Sequence, residues 1–332
     1  MLTKKQNMIE VMKGSKGNPD RFCNSYEAVQ LAYTPVMMAG NFPTKGGPNT
    51  VNSWGVTMSF PENVPGMFPV HDAEHIVIKD IEHWRDYVTP PTVMYPDEAW
   101  EPFVNMANAI DRNEYFVAPF MAPGIFEQSH YLLSISDALV ALYEYPDEMH
   151  DLYKMITDWE LAYAEQIMKY LKPDAIFHHD DWGSQKSTFM SPDMFEEFIL
   201  PCYQQVYGYF KDQGVQCIIH HSDSYGETLV DYMVDMKMDV WQGVMSTNDI
   251  PGLVKKYDGK LTFMGGIDNG KVDKEDWSKE EIHKYVFDIC QQVGTNKGFI
   301  PCTTMGGAES IYPGVYEAVM EEIDNASKIL LK

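Results

Sequence analysis

From about Tyr115 onward, short runs rich in β-branched and aromatic residues alternate with longer amphipathic stretches. Each run is short and apolar enough to be a strand buried on both faces, and each amphipathic stretch suits a helix lying over such strands. The strands read this way are Tyr115–Ala118, Ala175–His179, Val215–His220, Asp239–Gly243, Leu261–Gly265 and Gly298–Pro301. Helical patterns fall between and after them. Pro192–Lys211 is introduced by Ser191 as N-cap with Pro192 at the first helical position, and Lys279–Val293 and Pro313–Leu331 follow later.

Residues 1–110 read differently, being rich in Pro, Gly, Asn and aromatics, as in Gly40-Asn41-Phe42-Pro43-Thr44-Lys45-Gly46-Gly47-Pro48-Asn49. Only Val51–Phe60 has the look of a strand or hairpin there. The expected organisation is an irregular extension over residues 1–110, packed as a cap on a single domain formed mainly by residues 111–332. Repeated βα units suit either a barrel or a doubly wound sheet. A barrel is favoured because no G-x-G-x-x-G loop follows the first strand and polar residues stand at the C-terminal end of nearly every strand. The expected fold class is therefore α/β, a (β/α)₈ TIM barrel with an irregular N-terminal extension.

Composition narrows the function. Of 332 residues, 45% are hydrophobic, enough for a large core, yet no apolar run reaches the roughly 18 residues of a membrane span. The first residues, Met1-Leu2-Thr3-Lys4-Lys5-Gln6, do not begin an export signal, and the five cysteines are scattered without a C-x-x-C pair. A cytoplasmic location is expected. Lys and Arg number 25 against 49 Asp and Glu, a net charge of −24, and the arginines are Arg21, Arg85 and Arg112 alone. Such a surface repels nucleic acid and anionic membranes. It also argues against a substrate bearing many carboxylates, which bidentate guanidiniums usually hold.

Three strand ends carry chemistry. In Ile218-Ile219-His220-His221-Ser222-Asp223-Ser224, alternation puts Cys217, Ile219 and His221 on one face and His220 on the other. His221 and Asp223 form an imidazole–carboxylate pair that suits a divalent metal or acid/base work, against the plainer reading of a strand hydrogen bond and a helix cap. In Phe177-His178-His179-Asp180-Asp181-Trp182-Gly183, two carboxylates abut an apolar strand, and either could face the site. In Pro301-Cys302-Thr303-Thr304-Met305-Gly306-Gly307-Ala308, a cysteine just past the last strand precedes small residues that allow close backbone approach. It is a metal ligand, a nucleophile or an inert core thiol. Glu127 and Asp268 end two further strands, or cap helices. Asp180, Asp181 and Glu127 are the expected catalytic acids, with Trp182, His179 and Asp268 as substrate contacts. The series His71, His75 and His83 is expected at the surface.

The stretch from Asp180 to Asp268 resembles the uroporphyrinogen decarboxylase superfamily. The likeness rests on the acidic strand end with Gly183, on Ser191-Pro192, Phe195, Phe198 and Pro201 in one helix, and on Gly214 before the next strand. It continues through the His221 loop, Asp239 and Gly265-Gly266-Ile267-Asp268. The resemblance implies a (β/α)₈ barrel and one of two chemistries. The decarboxylase branch carries an arginine-rich N-terminal motif, whereas this chain reads Asn18-Pro19-Asp20-Arg21-Phe22-Cys23-Asn24 there. The cobalamin-dependent methyltransferase branch uses zinc held by a His-x-Cys pair and a late Cys. His221 matches the His, Cys302 lies near the late Cys, and Asp223 replaces the middle Cys, which leaves a harder, more Lewis-acidic ion suited to an ether oxygen.

The resemblance thus implies an O-demethylase methyltransferase component that passes a methyl group from a methoxylated aromatic compound to a separate corrinoid protein. Zinc would rest on His221, Asp223 and Cys302, the corrinoid would arrive on its partner, and Asp180, Asp181 and Glu127 would position or protonate the leaving phenolate. A homodimer is expected. The alternatives are a metal-independent decarboxylase and a non-catalytic barrel that binds a ligand or a corrinoid protein.

Overall fold

The computed structural model describes all residues except Pro65, Thr295, Asn296, Gly307, Ala308, Glu309 and Lys332. Seven strands form one parallel sheet in chain order: β1 (Val29–Ala32), β2 (Phe116–Met121), β3 (Ala175–His179), β4 (Cys217–His221), β5 (Val240–Val244), β6 (Thr262–Ile267) and β7 (Phe299–Thr303). The sheet curls, and its ends meet where the Ser25 N–H donates to the Pro301 carbonyl at 3.2 Å. The fold is of the expected class, an α/β barrel, with seven parallel strands in its sheet among the described residues, one more than the six runs legible in the sequence.

Period-two alternation explains the barrel's filling. Val29, Phe116, Ala118, Ala175, Phe177, Cys217, Ile219, Val240, Met264, Ile300 and Cys302 point inward and form one buried cluster. Their strand neighbours Val117, Ile176, Ile218, Trp241, Phe263 and Phe299 point outward, into the larger core beneath the helices. Both faces are dry, so the strands read as nearly continuous apolar runs.

One end of the barrel is closed by α1 (Lys4–Met12), whose Met8 and Val11 join the interior cluster. Thr3 caps it by accepting from the Gln6 N–H. The Lys5 Nζ donates to Asp174 Oδ1 at 3.1 Å and its backbone N–H to the Glu114 carbonyl at 3.0 Å. Asp174 immediately precedes β3 and Glu114 lies two residues before β2, so this sealed end is the N-terminal one. Any site must open at the other.

Two expectations are corrected. The segment 1–110 is not only a cap, because β1 lies within it and pairs with β2 from Val29↔Phe116 to Ala32↔Pro119. The rest of the segment includes a small antiparallel sheet of Thr50–Val51, Thr57–Ser59 and Phe68–Pro69, within which the hairpin expected over Val51–Phe60 is found. The helix expected over Pro192–Lys211 is two, Pro192–Phe198 and Leu200–Asp212. Pro201 has no N–H for the carbonyl one turn back, so the ladder breaks at Ile199. Ser191 does cap the first by accepting from Met194 N–H. The remaining outer helices include α2 (Ile125–Leu132), Lys279–Val293 and Val315–Leu330. Among the described residues no helix is long and apolar enough to cross a membrane.

Phe116 lies in the barrel interior at 1% exposure. Phe116→Ala is expected to cost about 3–5 kcal/mol of unfolding free energy. Urea denaturation checks this, and a loss below about 1 kcal/mol would contradict a close-packed interior.

Candidate active site

β3 and β4 are neighbours in register, with His179 opposite His221. Their last side chains therefore emerge together at the C-terminal end of the barrel. The two imidazoles stack with centroids 4.4 Å apart and an interplanar angle of 21°. Each ring has one nitrogen committed. His179 Nδ1 donates to Glu127 Oε2 at 2.8 Å, and His221 Nδ1 is bonded to Gln242 Oε1. Gln242 Nε2 donates to the Thr304 carbonyl at 3.2 Å, which orients the amide so that its oxygen faces His221. Nε2 of both rings is left for other partners. Asp181 Oδ1 stands 3.9 Å from His221 Nε2 and accepts the Asp223 N–H at 3.0 Å.

Asp180 and Asp181 are adjacent, and they part company. Asp181 lines the cavity; Asp180 is fully buried behind it. Asp180 accepts from the N–H groups of Phe126 (3.0 Å) and Glu127 (2.7 Å), from Trp182 Nε1 (2.9 Å) and from the Tyr203 hydroxyl (2.6 Å). The first two are free donors in the first turn of α2, where a carboxylate is favoured by both hydrogen bonding and the helix dipole. The approach is tight enough that a Cβ on Gly124 would lie 2.4 Å from the Asp180 Cβ. Asp180 thereby fixes the turn that carries Glu127.

Behind Asp180 lies a second buried polar chain. His220 Nε2 donates to the Asp180 carbonyl at 3.0 Å, while the Tyr207 hydroxyl donates to His220 Nδ1 at 2.6 Å. The Tyr207 oxygen in turn is 3.2 Å from His178 Nδ1, and His178 Nε2 is 3.3 Å from Glu160 Oε1. His178 and His220 thus serve the helix layer, as strand alternation requires.

The cavity holds about 690 Å³. Tyr26, Phe68, Phe120, Tyr131 and Phe177 give it aromatic walls, with Val29, Leu31, Met67, Met305 and Ile311. Its polar lining is acidic and imidazole: Glu127, Asp181, Asp223, Asp273, His179 and His221, with Ser310. No Lys or Arg is among the described lining residues.

Burial acts on these groups unequally. It opposes protonation of His179, but the charge and hydrogen bond of Glu127, with Asp181 and Asp180, outweigh it and push the pKa up to about 10. Burial raises Glu127, and the charge of His179 offsets this only in part. His221 is pushed down to about 4 by burial and by charged His179. Burial and Asp181 push Asp223 up to about 8, and burial and Glu127 push Asp180 up to about 7.

Several expected site residues lie elsewhere. Cys302 is inside β7, not past it, and is fully buried. Burial pushes its thiol up to about 12 despite hydrogen bonds with Ser25, Thr303 and Tyr26. It does not line the cavity, so His221, Asp223 and Cys302 do not form the expected metal triad. The groups that gather instead are His179, Asp181 and His221, with ligating atoms all within 4.8 Å of one another. Trp182 is also buried, stacked 3.9 Å over His220 with its indole N–H spent on Asp180, so it is a support and not a substrate contact. Asp268 caps the short helix Asn269–Val272 by accepting from Gly270 N–H at 2.9 Å. Gly307 and Ala308 lie outside the described residues. Of the surface histidines, His83 is exposed and His71 and His75 are half-buried.

Phe120, Phe177, Tyr26, Tyr131 and Gln242 were not singled out by sequence. For Phe120, Phe177 and Gln242 the signal was present, as side chains near the C-terminal ends of strands. Nothing comparable marks Tyr26 or Tyr131.

Two outcomes follow from this geometry. Asp180→Ala orphans four buried donors and is expected to destabilise the fold by at least about 3 kcal/mol, read by chemical denaturation. In the metal-free protein His179 is expected to titrate near 10 by NMR, and Glu127→Gln should return it toward the ordinary 6.5. Because the folded value is raised, the stability due to this proton is fully present below 6.5 and is lost as pH climbs through about 10. An unshifted His179 in the wild type would refute the Glu127 pairing.

Comparison with known proteins bears on this arrangement. A search of curated proteins by sequence finds no match. Among solved structures, a methyltransferase from Methanosarcina mazei superposes with a TM-score of 0.67 at 13% identity, covering 98% of this chain and 99% of that one. At that identity the likeness is one of fold. The family model described as uroporphyrinogen decarboxylase (URO-D) matches residues 54–325, most of the chain. With that match added to the parallel barrel and its C-terminal cavity, the chain belongs to the uroporphyrinogen decarboxylase (URO-D) family.

Proposed function

We propose that this protein is a methyltransferase that moves the methyl group of a methoxylated aromatic compound to the cobalt of a separate corrinoid protein. The observation that carries the reading is the cavity: aromatic walls, a floor of carboxylates and imidazoles, and no Lys or Arg among the described lining residues. A flat aryl ring is well matched by Phe120, Phe177, Tyr26 and Tyr131. A substrate with many carboxylates is not, because each would be buried beside Glu127, Asp181, Asp223 and Asp273 without a partner. This disfavours decarboxylation of a polyacid at this site. The Methanosarcina mazei neighbour, itself a methyltransferase, adds an analogy of fold.

In the proposed reaction the methyl–oxygen bond breaks with its electron pair left on the aryl oxygen, which then takes up a proton. Asp223 faces the cavity and keeps its carboxyl proton up to a pH of about 8, so it can offer that proton to the leaving oxygen. The aromatic walls hold the ring and exclude water from the breaking bond. A zinc ion fits the donor chemistry of His179, Asp181 and His221, and when bound it would act as a Lewis acid toward an ether oxygen.

Mixed anaerobically with a reduced corrinoid protein and a methoxyarene panel, the enzyme should convert Co(I) to methyl-Co(III). His221→Ala should lower that rate by about 100-fold or more. The reading fails if no donor in a broad panel yields methyl-cobalt. Among active donors, adding a ring carboxylate should lower kcat/KM by at least about 10-fold, since the described lining has no Lys or Arg to hold it and four carboxylates to repel it.

A further inference from the structure

Three side chains with metal-ligating atoms, none of them a thiol, meet at the junction of β3 and β4. The three potential ligands come from two adjacent strand ends, His179 closing one with Asp181 two residues beyond it, and His221 closing the other. Their ligating atoms lie within 4.8 Å of one another. Two ligands bound tetrahedrally to zinc stand about 3.4 Å apart, so the 3.9 Å between His221 Nε2 and Asp181 Oδ1 closes with a small side-chain rotation. More telling than proximity is the support around each ligand. Metal-bound histidines usually spend their second nitrogen on a carboxylate or carbonyl oxygen, which fixes tautomer and ring direction. Here His179 spends Nδ1 on Glu127, and His221 spends Nδ1 on the amide oxygen of Gln242, itself oriented by Thr304. Asp181 is held by the Asp223 backbone N–H. All three ligands line the cavity, which leaves the remaining coordination position open to a small molecule.

We infer that one divalent transition-metal ion of the zinc class binds to His179, Asp181 and His221, with no sulfur ligand and with Glu127 and Gln242 as its outer partners. Cys302 takes no part, its thiol being buried in β7 and bonded to Ser25 and Tyr26. Two nitrogens and one oxygen make a harder site than any that includes a thiolate. The inference takes from the proposed function only the use of a metal, and its ligand set rests on geometry.

The test is titration of the metal-free protein with Co²⁺ alone, read by visible absorption and by metal content, without donor or corrinoid protein. The wild type should bind one ion per chain with d–d bands and no sulfur-to-cobalt charge-transfer absorption. Cys302→Ser should bind identically. His221→Ala and the isosteric Asp181→Asn should lose saturable binding, and Glu127→Gln should weaken it about 10–100-fold. Metal-induced rise in thermal midpoint, compared with each variant's own metal-free midpoint, separates lost ligands from lost folding. The assignment is overturned by a charge-transfer band that vanishes in Cys302→Ser, by undiminished binding in His221→Ala and Asp181→Asn, or by a wild type that binds no Co²⁺. Methyl transfer is measured separately, so a metal-binding protein without that activity would sink the reaction and leave the centre standing.

Discussion

The active-site end of this barrel depends on one buried carboxylate. Asp180 joins the end of β3 to the first turn of α2 by two backbone hydrogen bonds, and adds Trp182 and Tyr203 as further donors. A charge taken out of water at this depth is tolerated only when its oxygens are saturated, and here they are. The arrangement also orients everything nearby. The turn it grips presents Glu127, Glu127 holds His179, and the residue after Asp180 projects into the cavity as Asp181. An acid that never meets a substrate thus decides where two acids and an imidazole stand.

Much of the barrel was legible because parallel strands buried on both faces leave short apolar runs between amphipathic helices. β2 to β7 fall within a few residues of their expected positions. β1 was not legible: Val29–Ala32 has exposed Gln30 and Leu31 at its centre and sits in a stretch of prolines and asparagines. The site was read less well, for a physical reason. Alternation tells which face of a strand a side chain occupies, but strands in a barrel tilt and stagger, so it does not tell height. Cys302 has the inward orientation expected of a ligand yet sits low, among the packed interior residues with Ile300 and Met264. Asp180 and Asp181 show the converse. Neighbours in sequence diverge by half a turn of the strand, and only the packing of α2 decides which one is buried.

Overall acidity takes on a more specific meaning in the cavity. A surface rich in carboxylates is unremarkable in itself, but four of them converge with two imidazoles where apolar walls limit hydration. Such a cluster is repulsive unless protons or a cation are held within it. In the metal-free state burial and Asp181 push Asp223 up, and against burial the neighbouring carboxylates push His179 up, which favours protons in that role. A bound cation would displace the Nε2 proton of His179, so its capture is coupled to proton release.

The helix Lys4–Met12 has a consequence for traffic through the molecule. By plugging the far end of the barrel it leaves, among the described residues, the C-terminal mouth as the doorway for whatever is bound inside. If a small donor and a bulky acceptor protein share that doorway, they cannot arrive in either order: the small one has to be seated first, and its spent remainder stays trapped until the large one departs.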